Sequence, residues 1–210
     1  AAVTAMIDAS GLLAGRTGTR AVFVIHDAED VSSYRTVELW QRFAQVRPAV
    51  FGVLVSQLDP SDAPGVFQDW AGAADGFYQY ATAQSDMDKA FARMAAWLRR
   101  PADYQVSWSA AHVEHAPSTL RVVAPEGDAL PIGAGAALEL ILDTSGSMLQ
   151  DLGTTSRIIA AKGVLDRLVN ETLPEGLPVA LRTFKARKGS CDTVLTVPLA
   201  PLDRASMAAV

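Results

Sequence analysis

The chain has 210 residues, half of them hydrophobic and 20% charged, a balance that supports a sizeable buried core and excludes a disordered polymer. Its 18 basic and 23 acidic residues leave a formal net charge of -5, which argues against a generally basic, nucleic-acid-binding surface. The single cysteine, Cys191, excludes a disulfide within the chain and leaves the compartment open.

The opening AAVTAMIDASGLLAG has no basic leader, and no apolar run reaches the roughly 18 to 20 residues that cross a bilayer. Neither a signal peptide nor direct membrane insertion is expected. Short apolar or β-branched runs then alternate with longer amphipathic stretches, the pattern of an α/β layer fold. The first strand is expected at 21–25 (AVFVI), followed by a helix over about 33–46 with Val37, Trp40, Phe43 and Ala44 on its apolar face. The near-continuous apolar run 49–56 (AVFGVLVS) suits a parallel strand covered on both faces. A short helix over 66–74, a short strand over 77–80 and a helix from Asp86, stopped by Pro101, complete this segment. Trp40, Trp70 and Trp97 fall in helix patterns and are expected to pack in the core or on the sheet.

The middle changes style. Residues 104–108 and 119–123 read as a small β extension, and 125–135 (PEGDALPIGAG) reads as a linker or exposed loop. A buried strand over 137–142, a helix over 156–171, strands over 178–184 and 191–198, and a helix from Asp203 follow. His112 and His115 stand three apart without a cysteine cluster, which does not specify zinc. The basic group Arg182, Lys185, Arg187 and Lys188 reads as a solvated loop. The sequence has no GxSxG elbow, no phosphate-binding GxxxxGK[ST] loop and no HExxH helix, and no enzyme activity is expected.

The sharpest local feature is LELILDTSGSM, where a buried strand ends in Asp143 and Ser145 and Ser147 follow at alternate positions. Carboxyl ends of parallel strands are where ligands bind in α/β sheets. One carboxylate and two hydroxyls converging across a tight turn are hard oxygen ligands, suited to Mg²⁺ ahead of Ca²⁺ or Mn²⁺. The same residues also suit a capping turn.

ILDTSGSM behind an apolar strand resembles the von Willebrand factor type A domain with its metal-ion-dependent adhesion site. The stretches SRIIAAKGVLDRLVNETLP and LPVALRTF are similar to the first helix and second strand of that family. Residues 1–102 resemble the C-terminal half of the same fold and 137–210 the N-terminal half, with 103–136 as β extension and linker, so the halves come in reversed order. The resemblance implies a Rossmann-like fold with a central, mostly parallel six-stranded sheet and helices on both faces. It also implies that Thr4 and Asp27 join Asp143, Ser145 and Ser147 around one metal, although His26 and Ala28 stand where the family has threonine and glycine. Two organisations remain open, one composite or circularly permuted domain and parts of two tandem domains, and exchange between copies would satisfy the same contacts. The function implied is a Mg²⁺-dependent protein-binding or assembly module that takes a Glu or Asp of a partner. The alternatives are a structural module with a decayed site and a metal-dependent hydrolase.

Overall fold

The computed structural model describes residues 2–27, 36–56, 65–74, 76–99, 136–187 and 190–204. The expected β extension at 104–124, the linker after it, His112, His115 and nearly all of the helix from Asp203 lie outside the described residues. The helices are α1 (Ala2–Leu13), α2 (Thr36–Val46), α3 (Gly65–Ala73), α4 (Gln84–Arg99) and α5 (Arg157–Arg167), the last prolonged by a π-helical turn over Leu168–Thr172. The strands are β1 (Arg20–His26), β2 (Ala49–Val55), β3 (Phe77–Ala81), β4 (Ala137–Asp143), the two-residue β5 (Asp151–Leu152) and β6 (Thr155–Ser156), β7 (Pro178–Arg187) and β8 (Ser190–Pro201).

Six strands form one sheet in the order β3-β2-β1-β4-β7-β8. All neighbours are parallel except β7 and β8, which pair antiparallel with a register irregularity around Leu181. Strands from the two ends of the sequence meet at the centre, where Phe23 of β1 pairs with Leu140 of β4. Every residue of β2 and β4 is buried, as expected of parallel strands covered on both faces. Phe23, Phe51 and Leu140 pack beneath α4 and α5, and Val22, Val24 and Ile141 beneath α1, α2 and α3. The chain thus has a Rossmann-like α/β fold.

Two details depart from the sequence reading. In α2 the buried residues are Leu39, Phe43 and Val46, while Val37 and Trp40 are exposed, so the apolar face is rotated from the expected one. Trp70 is fully buried and Trp97 packs against the core, as expected. Arg182 is no loop residue: it is buried on β7, and its Nε donates to Glu139 Oε1 at 2.7 Å. Arg182 Nη1 also stands 3.5 Å from Asp8 Oδ2 on α1, and that oxygen accepts from the Thr193 hydroxyl at 2.6 Å. Burial raises the Glu139 pKa, and the Arg182 charge opposes that shift.

Two glycines let β3 close on β2. A Cβ on Gly76 would lie 1.7 Å from the Val50 carbonyl oxygen, and one on Gly52 would lie 2.4 Å from the Tyr78 ring. Gly52 therefore lets Tyr78 lie across β2, where its hydroxyl stands 3.2 Å from Nε2 of His26 on β1.

Candidate functional site

Two neighbouring parallel strands deliver two acidic residues to one edge of the sheet. Ile25 pairs with Leu142, so Asp27, just past the end of β1, and Asp143, the last residue of β4, leave the carboxyl edge side by side. Both are nearly inaccessible, at 3% and 2% exposure. The Ser145 backbone N–H donates to Asp143 Oδ1 at 2.7 Å, which folds the chain tightly back over the strand end. Thr144 anchors that turn to β7, since its N–H and its hydroxyl both donate to the Phe184 carbonyl, at 2.8 and 2.9 Å. A 3₁₀ turn over Gly146–Leu149 follows, with Met148 buried beneath it, and the β5–β6 hairpin leads into α5. Ser156 caps α5 by accepting from the Ile159 N–H.

The Ser145 and Ser147 hydroxyl oxygens are 2.9 Å apart. Two oxygens bound at right angles on an octahedral Mg²⁺, each at about 2.1 Å, stand about 3 Å apart. The observed separation meets that requirement as well as that of a hydrogen bond. Burial raises the Asp143 pKa to about 6, helped by the nearby Asp27 charge. Hydrogen bonds from the Ser145 backbone and hydroxyl and from the Asp27 backbone N–H oppose the shift. A cation would relieve the crowding of two buried carboxylates, and oxygen donors of this type suit a hard divalent ion.

Thr4 lies on the first turn of α1 and is half-buried. Only residues 14–19 separate the end of α1 from the start of β1, so α1 runs back along the sheet and its first turn sits toward the carboxyl edge. Asp8 on α1 reaches Arg182, which pairs with Ile141. Among the described residues, no hydrogen bond or ion pair ties Thr4 to the other four.

The sequence reading missed Arg157. It opens α5, is buried, and directs Nη1 to Asp27 Oδ2 at 3.5 Å. A basic residue in the first turn of a helix opposes the helix dipole, and that misplacement was the available signal. His26 is buried beside Asp27, its pKa lowered to about 3 by burial, so its imidazole is neutral. Asp151 is exposed on β5. Among the described residues, no three His, Cys, Asp or Glu side chains cluster as a metal site. No helix among the described residues is long and apolar enough to cross a membrane.

No protein-family model matches the chain, and no curated protein matches it. Among solved structures, the chain is similar to an uncharacterized protein from Alicyclobacillus acidocaldarius subsp. acidocaldarius. The TM-score is 0.49 at 19% identity, over 91% of this chain and 84% of that one.

Proposed function

We propose that the protein is a von Willebrand factor A-like binding or assembly module whose carboxyl-edge site takes a divalent ion, Mg²⁺ first, and an acidic side chain of a partner protein. One observation carries the reading: Asp143 and Asp27 are buried side by side, with the Ser145 and Ser147 hydroxyl oxygens 2.9 Å apart beside them. Asp143 supplies the negative charge at the strand end, and the Ser145 N–H fixes the orientation of its carboxylate. Ser145 and Ser147 supply neutral oxygens. Asp27 adds a second charge, and Thr4 contributes from the first turn of α1. A bound Mg²⁺ would offer a free coordination position to a partner's Glu or Asp oxygen.

Two further observations support the reading. Leu149 on the 3₁₀ turn and Ile159 in the first turn of α5 are 70% and 63% exposed, placing apolar contact surface on the loop and helix that follow Asp143. The joining of both segments in one sheet supports a composite, permuted domain over two tandem partial ones.

The test is a calorimetric Mg²⁺ titration of the chain beside Asp143→Ala. Saturable binding of about one ion per chain, abolished in the variant while its melting stays cooperative, is the expected result. A folded wild-type chain that takes up no divalent ion would overturn the reading. It would favour instead a structural module in which Arg157 alone balances the acidic pair.

A further inference from the structure

The site carries a cation of its own. The Arg157 side chain is 8% exposed and lies against Asp27, whose side chain is 2% exposed. Arg157 Nη1 stands 3.5 Å from Asp27 Oδ2, the outer limit of a hydrogen bond. Its Nε is buried with no hydrogen-bond partner among the described residues. A guanidinium held this deep, with one donor unused and its charge set against the helix dipole, is costly in itself. What offsets that cost is the negative charge of Asp27.

We propose that Arg157 is a tethered competitor of the divalent ion: it neutralises Asp27 in the metal-free site and must withdraw before Asp27 can serve an ion. This rests on the metal-binding reading above. A guanidinium and a divalent ion in contact with the same carboxylate repel each other in a poorly solvated site, where charge interactions are weakly screened. The affinity for Mg²⁺ is then set by the arginine as much as by the oxygen ligands. Reciprocally, ion binding frees the arginine, because the two share one carboxylate.

The experiment is Mg²⁺ titration by calorimetry on the full chain as wild type, Arg157→Gln, Asp27→Asn and the double variant, with Asp143→Ala as the control. Arg157→Gln is expected to bind Mg²⁺ at least about tenfold more tightly than wild type, within the usual range for coupled binding events. In the Asp27→Asn background the same substitution should gain nothing, because the shared carboxylate charge is gone. Equal affinities in wild type and Arg157→Gln, both lost with Asp143→Ala, would overturn this inference and leave the metal site standing. No Asp143-dependent binding in either protein would overturn the metal site and this inference with it. Binding in Arg157→Gln alone would support the competition while overturning the reading that the wild-type chain takes up an ion. If Arg157→Gln does not fold, the wild-type chain still decides: the Arg157 Nε–H resonance, assigned with Arg157→Lys, shifts on Mg²⁺ saturation if the arginine withdraws. An unmoved resonance at saturation would sink the proposal.

Discussion

His26 and Asp143 end neighbouring strands, and burial moves their protons in opposite senses. The folded pKa of His26 is about 3 against 6.5, so between those values the unfolded chain binds a proton that the folded chain refuses. That contribution makes stability fall as pH drops below about 6.5. For Asp143 the folded value is about 6 against 3.8, so there the folded chain holds the extra proton and stability falls as pH rises from about 4 to 6. Over pH 4 to 6 the two slopes cancel, and each substitution should unmask the other. Relative to the metal-free wild type, Asp143→Asn should gain about 2 kcal/mol between pH 4 and 6, and His26→Asn should lose a similar amount. Urea unfolding midpoints across that range check both signs, and parallel profiles for all three proteins would contradict them. At this scale the Asp143, Ser145 and Ser147 group was legible because its geometry is local to one turn. Arg157 and Arg182 were not, because their acidic partners lie 130 and 43 positions away in sequence.

Among the elements, the parallel strands were the easiest to read and helix faces the hardest. A run such as AVFGVLV is apolar on both faces, and that alone marks a central strand. Helix α2 mixes Val37, Leu39, Trp40, Phe43 and Val46, and which of them face the sheet depends on how the helix is rolled onto α1. That roll is set by packing rather than by periodicity, which is why Trp40 lies outside. The glycines of the β2–β3 contact give this scale its prediction. Gly76→Ala would drive a methyl group into the Val50 backbone, which cannot turn aside, so a loss of about 3 kcal/mol or more is expected. Gly52→Ala meets only the Tyr78 ring, which can swing away, so a loss of about 1 to 2 kcal/mol is expected, together with loss of the Tyr78–His26 hydrogen bond. Chemical denaturation ranks the two, and the reverse order would mean that β3 shifts more readily than Tyr78.

For the whole molecule, six strands could be counted from the sequence, but which strand of one segment meets which of the other could not. Alternation of apolar runs fixes what a strand is, whereas sheet order depends on a crossover of more than 30 residues between α4 and β4. The structure pairs β1 with β4 at the centre of one sheet, and the two acidic residues meet because of that pairing. Cutting the chain there has a definite consequence. A fragment of residues 1–102 keeps β1, β2 and β3 but opens β1, buried from Ala21 to His26, as an unpaired edge, and a fragment of residues 137–210 does the same to the buried β4. Each fragment also loses helices that cover the other's strands, since α1 packs on β4 and β7 as well as on β1. Neither should unfold cooperatively alone, and each should aggregate at micromolar concentration. Mixed in equal amounts from denaturant, they should regain a cooperative transition and, if the carboxyl-edge site is a metal site, Mg²⁺ binding that depends on Asp143. Circular dichroism melting of each fragment and of the mixture reads the outcome directly. A sharp transition in either fragment alone would show that half the sheet is self-sufficient and that the two segments act as separate units.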